Sequence, residues 1–176
     1  MSLALGSPPP AFRLRGVDGT EHELAEYEDA KILVLVQSCN HCPYVLAWED
    51  RMTAIQDDYA GRGVRLVAVN SNDSSRYPED SFEKMVEHAA SSGYSFDYLH
   101  DPEQSVARAL GSERTPEVFV FDSGRTLVYH GAIDDSRDET AVGASYLRDA
   151  LDASLAGGTP PIAVTPASGC SVKWLS

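Results

Sequence analysis

The sequence predicts an α/β domain in which helices cover both faces of a central sheet. Runs of aliphatic and β-branched residues alternate with segments of helical periodicity along most of the chain. Strand–helix–strand units of this kind pack as a sheet between helical layers. With 176 residues the chain has the length of one domain. Such a domain buries roughly 70% of the surface of its unfolded chain, so it needs no disulfide bonds for stability.

The N-terminal third predicts a hairpin, a buried strand and a long helix. Alternating residues around the turn signal Asp18-Gly19 predict a hairpin within residues 12–24. The run KILVLVQ at 31–37 is typical of a strand that is covered on both faces. Apolar residues then recur at steps of three and four, which predicts a helix from Pro43 to Gly61 or Gly63.

The rest of the chain continues this pattern. Strands are predicted at 64–69, 96–100, 117–121 and 126–130, and helices at 81–91, 102–110 and 141–155. The last residues are rich in proline and small side chains, which is typical of an extended arm. We therefore expect a domain at 1–158 and a C-terminal arm at 159–176 that packs on or near it.

Composition and charge exclude several classes of function. The chain has 14 Lys and Arg against 27 Asp and Glu, which gives a net charge of −13. Such a charge repels polyanions, so we expect no nucleic-acid partner. The apolar run at 32–36 is far shorter than the ~20 residues that a spanning helix needs, so no membrane segment is expected. The N-terminus lacks the basic and apolar regions of a secretory signal, and we expect a cytoplasmic protein.

The main chemical signal is a pair of cysteines, Cys39 and Cys42, between a predicted strand and a predicted helix. Cysteines three residues apart on the first turn of a helix can close a small disulfide, and the helix N-terminus stabilises a thiolate. Because the thiolate is the nucleophile, we expect a lowered pKa for Cys39, with His41 contributing. An alternative of another class is a zinc- or copper-binding module that uses the pair. Zinc normally takes four ligands, and the sequence has no second pair at the required spacing.

Several motifs together resemble the thioredoxin fold. The motif CNHCP follows an apolar strand, and Thr115-Pro116 stands directly before the strand EVFVFD. The N-terminal segment PAFRLRGVDGTEHEL and the ending GCSVKW resemble redoxins. That group includes the alkyl-hydroperoxide-reductase/thiol-specific-antioxidant proteins and the TlpA-like thiol-disulfide oxidoreductases. The resemblance covers nearly the whole chain. It implies a mixed central sheet with helices on both faces, an N-terminal hairpin and an extended C-terminal arm.

The resemblance also implies an antioxidant enzyme, a thiol-disulfide oxidoreductase. Cys39 would attack a protein or small-molecule disulfide, Cys42 would resolve the mixed disulfide, and His41 would tune the thiolate. The substrate-binding residues that it implies are Thr115 and the cis-proline Pro116, and Asn40 between the two cysteines is a further candidate. No cofactor or metal is expected. A reductant of the thioredoxin or thioredoxin reductase type would restore the thiols.

The sequence departs from the thioredoxin pattern at the proton acceptor. Thioredoxins carry a buried acid six residues before the first cysteine, where this chain has Leu33. Glu49, Asp50 or water would have to serve instead. The alternative enzyme is a peroxiredoxin-like, thiol-dependent peroxidase. Neither cysteine is preceded by the threonine and proline of the peroxiredoxin motif, and Arg114 is the one residue near the site that matches the peroxidase arginine.

The third cysteine, Cys170, lies in the C-terminal arm. It is a candidate third thiol that exchanges disulfides with Cys39 or Cys42 through a flexible arm. The alternative is a small apolar residue in a docked tail, with Val172 and Trp174 as the packing anchors.

Overall fold

The computed structural model describes all residues from 1 to 176. The strands are β1 (Arg13–Gly16), β2 (Glu21–Glu23), β3 (Ile32–Ser38), β4 (Val64–Asn70), β5 (Asp97–His100), β6 (Arg114–Thr115), β7 (Glu117–Phe121), β8 (Leu127–Gly131) and β9 (Cys170–Ser171). The α-helices are α1 (Pro43–Tyr59), α2 (Phe82–Ser92), α3 (Ser105–Leu110) and α4 (Tyr146–Leu155). None of these helices has the length and apolar composition needed to cross a membrane.

A seven-stranded mixed sheet forms the centre of the molecule. Its strand order is β2-β1-β5-β4-β3-β7-β8, and β6 and β9 form a separate two-stranded sheet. The strands β3, β4 and β5 run parallel, whereas β7 is antiparallel to β3. Every residue of β3 is buried, as expected for its continuous apolar run.

Helices pack on both faces of this sheet. Val34 and its neighbours on one face of β3 contact the apolar stripes of α1, α2 and α4. Leu33 and Leu35 point to the other face and join a core with α3 and the 3-10 helix Leu24–Tyr27. Burial of each such side chain contributes about 1.5–3 kcal/mol to stability. The predicted arrangement of sheet and helices is confirmed.

Two helices begin later than predicted. Residues 139–141 form a 3-10 turn and Val142 is extended, so α4 begins at Tyr146 instead of Ala141. Gln104 adopts a left-handed conformation, and α3 therefore begins at Ser105 instead of Pro102. In both places the backbone conformation of the residues before the helix delays its start. The pairing of β6 with β9 is an additional feature that the sequence pattern did not predict.

The C-terminal arm, residues 159–176, is fixed to the domain by backbone and side-chain hydrogen bonds. His130 N–H donates to the Ala163 carbonyl at 3.1 Å, and Thr165 N–H donates to the His130 carbonyl at 3.1 Å. The buried Thr165 hydroxyl accepts a bond from Ala132 N–H at 2.9 Å and lies 2.7 Å from the Tyr129 hydroxyl. The arm then continues as β9 beside β6.

Replacement of Thr165 tests how firmly the arm is attached. We expect Thr165→Ala to lower the free energy of unfolding by about 1–3 kcal/mol, because the buried Ala132 N–H loses its acceptor. Thr159→Ala, at an exposed position of the same arm, is the matched control. Denaturant unfolding measures both. Equal stability of the two variants would contradict this attachment.

Candidate active site

The cysteine pair lies where β3 ends and α1 begins. Cys39 directly follows the last residue of β3, and Cys42 is the N-cap residue of α1, which begins at Pro43. Proline is favoured at this first helical position, since its missing N–H would have no partner there. The predicted position of the pair, between the strand and a helix that begins at Pro43, is confirmed, and Cys42 alone borders the helix. Both are free thiols and each is 1% exposed.

The surroundings of Cys42 favour its thiolate. A hydrogen bond from the Cys39 thiol is the largest cause, and the Cys170 thiol and the Val45 N–H add further bonds. These donors outweigh the cost of burial and lower the pKa of Cys42 to about 4. The Val45 N–H is one of the free donors at the N-terminus of α1, which is the usual source of thiolate stabilisation.

The surroundings of Cys39 have the opposite effect. Its hydrogen bond to Cys42, its burial and the negative charge of Asp80 together raise the pKa of Cys39 well above its ordinary value. The Thr115 hydroxyl, 3.6 Å from the sulfur, opposes this shift. The lowered pKa that the sequence led us to expect for Cys39 is thus found at Cys42. The main reason is the hydrogen bond from the Cys39 thiol, to which the Cys170 thiol and the Val45 N–H at the start of α1 add smaller contributions.

His41 is placed against a buried carboxylate. Its Nδ1 lies 2.8 Å from Oδ2 of Asp80, whose side chain is completely buried. One ring nitrogen of His41, the Cys39 sulfur and an Asp80 oxygen all lie within 4.8 Å of one another. His41 is therefore close to Cys39, as predicted, but its direct partner is Asp80. Sequence reasoning missed Asp80 because it lies in a polar loop, at the end of the 3-10 segment Pro78–Asp80.

Asp80 organises the residues behind the pair. Its carboxylate accepts hydrogen bonds from the Asn40 backbone N–H at 2.8 Å and from the Asn72 side chain at 2.9 Å. The Asn70 side chain adds a third bond at 3.3 Å. A buried charge is tolerated only when it is hydrogen-bonded in this way. The network consequently fixes the backbone between the two cysteines.

Asn40 does not face a substrate. Its side-chain oxygen accepts a 2.6 Å bond from the Tyr98 hydroxyl, and its amide donates to the Glu79 carbonyl at 2.9 Å. The residue is buried. The prediction of Asn40 as a substrate-binding residue is corrected accordingly, because its polar atoms are used inside the molecule.

Thr115 and Pro116 lie directly beside the pair. The peptide bond between them is cis, and the Thr115 carbonyl oxygen is 3.4 Å from the Cys42 sulfur. The carboxylate of Glu117, which is 4% exposed, accepts the N–H groups of Glu113 and Arg114 and so fixes the start of β6. Burial raises the pKa of Glu117.

Cys170 completes a cluster of three sulfur atoms. It packs against the buried group of Cys39, Cys42 and Val45. Burial, followed by the interaction with the neighbouring Cys42 and its charge, raises the pKa of Cys170 to about 11. Val172 is buried as an anchor of the arm, whereas Trp174 is 37% exposed and stacks on the Arg108 guanidinium.

The other candidates lie outside the cluster. Glu49 is bound to His88 at 2.7 Å and to the Tyr94 hydroxyl at 2.8 Å. Asp50 and Arg114 are exposed, and the Arg114 guanidinium makes no hydrogen bond or ion pair. Asp80 is the carboxylate that the structure brings near Cys39.

The residues that could hold a metal ion are Cys39, His41 and Asp80. They supply a sulfur, a nitrogen and an oxygen, whereas zinc normally takes four ligands. The Asp80 oxygens already accept three N–H groups. A metal ion would have to displace some of these bonds, so the arrangement is better suited to holding the backbone than to holding an ion.

Comparisons with known proteins place this site in context. The family model described as Redoxin matches residues 4–146. The thiol-disulfide oxidoreductase ResA of Geobacillus thermodenitrificans is 27% identical over 123 residues, which cover 69% of this chain and 65% of ResA. The match thus spans less than two thirds of that relative.

Solved structures match over a larger part of the chain. A hypothetical protein of Sinorhizobium meliloti 1021 is 38% identical with a TM-score of 0.94, over 100% of this chain and 97% of its own. A thiol:disulfide interchange protein of the thioredoxin family from Chlorobium tepidum TLS is 18% identical, with a TM-score of 0.64 over 77% of this chain and 92% of its own. The predicted thioredoxin fold is confirmed.

The position of the thiolate can be tested by its ultraviolet absorbance. We expect the reduced protein to keep one thiolate at neutral pH and to lose it as the pH falls through about 4, the pKa of Cys42. The loss should persist in Cys39→Ser, whose hydroxyl still donates, and be absent in Cys42→Ser. The reverse pattern would place the thiolate on Cys39.

Proposed function

Because this chain belongs to the redoxin family, we propose that it is a thiol-disulfide oxidoreductase with Cys39 and Cys42 as the redox-active pair. The observation that carries the proposal is the packing of the two buried cysteines against each other and against Thr115. The Cys39 sulfur lies 3.6 Å from the Thr115 hydroxyl, and the Cys42 thiol donates to the Thr115 carbonyl at 3.4 Å. The name of the curated relative, thiol-disulfide oxidoreductase ResA, supports the same class of reaction.

The reaction begins at Cys42. Its thiolate attacks one sulfur of a substrate disulfide, the substrate S–S bond breaks, and the leaving sulfur takes up a proton. Cys39 then loses its proton and attacks the Cys42 sulfur, which releases the second substrate thiol. The pair ends as a Cys39–Cys42 disulfide, and the substrate has gained two electrons and two protons.

This order is the reverse of the one expected from the sequence. Cys42 has the lowered pKa and lies 3.4 Å from the Thr115 carbonyl, at the edge where an extended substrate would bind. Cys39 directly follows β3, with the Thr115 hydroxyl and Asp80 as neighbours. Both sulfurs are buried to the same extent, so the lowered pKa and the contact with the Thr115 backbone are what assign attack to Cys42 and resolution to Cys39.

His41 and Asp80 together handle the proton of Cys39. Cys39 must lose this proton to resolve the mixed disulfide, and the acid found in thioredoxins is replaced by the buried Leu33. A His41 nitrogen lies within 4.8 Å of the Cys39 sulfur, and Asp80 lies 2.8 Å from the ring. His41 takes up the proton, directly or through one water, and the Asp80 carboxylate fixes the position of the ring. The side chain of His41 is 32% exposed, so the proton passes on to solvent.

The substrate is a protein or small-molecule disulfide. An extended polypeptide binds by pairing with the backbone of Thr115, as a strand added to a sheet edge. In the direction that reduces the substrate, a reductant of the thioredoxin or thioredoxin reductase type restores the dithiol.

Single-thiol variants test which cysteine attacks. Cys39→Ser/Cys170→Ser leaves Cys42 alone, and Cys42→Ser/Cys170→Ser leaves Cys39 alone. With the disulfide reagent 5,5′-dithiobis(2-nitrobenzoate) at pH 6, we expect the Cys42 variant to form its mixed disulfide at least tenfold faster, because its thiol is ionised there. Release of thionitrobenzoate measures the rate. Faster reaction of Cys39 would restore the order expected from the sequence.

His41→Ala tests the proton acceptor in a Cys170→Ser background. We expect attack by Cys42 to keep its rate and resolution by Cys39 to slow by roughly 10²-fold, as for loss of a general base. Stopped-flow release of the first and second thionitrobenzoate separates the two steps. His22→Ala is the matched control, since His22 is also paired with carboxylates but lies on the hairpin. An unchanged second step would remove His41 from this role.

A further inference from the structure

The C-terminal arm occupies the backbone edge beside the cysteine pair. In the antiparallel pairing of β6 and β9, Thr115 is opposite Cys170 and Arg114 is opposite Ser171. The pairing continues with Val172 N–H, which donates to the Glu113 carbonyl at 3.1 Å. An unpaired strand edge is where an extended peptide adds. In this protein, residues 170–172 of the arm already occupy that edge.

The arm approaches this edge very closely. A Cβ atom added at Gly169 would lie 2.1 Å from the Thr115 carbonyl oxygen, a distance at which something must move. Only glycine therefore allows the backbone to come this near. The close approach brings the next residue, Cys170, into the cluster with Cys39 and Cys42.

The arm is anchored on both sides of Cys170. Upstream, the Thr165 hydroxyl accepts a hydrogen bond from the N–H of Ala132, the residue that follows β8. Downstream, the Lys173 carbonyl accepts bonds from the Asp73 N–H and the Gln104 amide, each at 2.9 Å. The Lys173 N–H donates to the Asn72 side-chain oxygen at 2.9 Å. Cys170 is thus held at a fixed position and is not carried by a flexible tail.

We propose that Cys170 is a third redox thiol, which takes the position of the substrate cysteine and exchanges a disulfide with Cys42. This inference rests on the proposed function of the pair. When the pair is oxidised, the Cys170 sulfur attacks the Cys42 sulfur and loses its proton. The Cys42–Cys170 bond forms, the Cys39–Cys42 bond breaks, and Cys39 takes up a proton. The number of disulfides is unchanged, so no further oxidant is needed.

The same step acts on a mixed disulfide. When Cys42 carries a substrate, attack by Cys170 on the Cys42 sulfur releases the substrate thiol and leaves a Cys42–Cys170 disulfide. Cys170 is therefore a second resolving residue beside Cys39. A polypeptide substrate that pairs with Thr115 has to displace residues 170–172 of the arm first.

The test uses full-length Cys39→Ser, in which Cys42 and Cys170 are the remaining thiols. With half an equivalent of 5,5′-dithiobis(2-nitrobenzoate) per chain, we expect two thionitrobenzoate released for each reagent consumed. Peptide mass mapping should find an intramolecular Cys42–Cys170 disulfide. In Cys39→Ser/Cys170→Ser we expect one thionitrobenzoate for each reagent and a stable adduct on Cys42. Cys39→Ala replaces Cys39→Ser if the serine variant does not fold.

A glycine substitution tests whether the placement of the arm is responsible. Gly169→Ala in the Cys39→Ser background keeps Cys170 but pushes it away from Cys42, so the second release should slow at least tenfold. Gly158→Ala is the matched control, because the nearest atom to its added Cβ is at 3.5 Å. It should leave the second release unchanged.

The outcomes separate the two proposals. A stable Cys42 adduct in Cys39→Ser, with the Cys170 thiol still free, overturns the role of Cys170 and leaves the proposed function intact. Failure of Cys42 to form an adduct in either variant counts against the proposed function itself. Equal second-release rates in Gly169→Ala and Gly158→Ala would overturn the placement argument.

Discussion

One proton held between two buried sulfur atoms is the constraint on which the site depends. Two cysteine side chains in contact cannot both be ionised in an interior of low polarity, so the pair carries at most one negative charge. The donors around Cys42 and the carboxylate near Cys39 decide where that charge lies. The attack by Cys42, the resolution by Cys39 and the exchange with Cys170 all follow from this difference in pKa between the two cysteines.

The buried charge of Asp80 gives this difference a rigid frame. Its carboxylate is held by the amides of Asn70 and Asn72 at the end of β4, and it in turn holds the backbone of Asn40. The loop that carries Asp80 lies outside the cysteine motif, and its hydrogen bond to Asn40 fixes the backbone of the motif. Leu33 remains free to fill the opposite face of the sheet, where it packs in the core with α3. The carboxylate near Cys39 is thus supplied by the loop before α2 and not by β3.

The elements predicted correctly from the sequence are those that depend on local residue patterns. The continuous apolar run of β3 and the helical stripe of α1 require a sheet with helices on both faces, and these elements begin and end close to the predicted residues. Local patterns do not predict contacts between residues that are far apart in the sequence. Asp80 is 38 residues after Cys42 and lies in a loop with no periodicity. The pairing of Cys170 with Thr115 depends on the course of the whole arm. The order of the two cysteines had a local signal, since Pro43 favours the first helical position and so makes Cys42 the N-cap.

The central claim, that Cys39 and Cys42 form a reversible redox pair, is tested most directly by a redox titration in glutathione buffers. Thiols are alkylated at each potential and the linked peptides are identified by mass. The account predicts a Cys39–Cys42 disulfide, alone or in equilibrium with Cys42–Cys170. Its midpoint should fall within the range of thioredoxin-fold proteins, from ~−270 to ~−120 mV. A Cys39 that stays alkylatable at every potential would contradict the account.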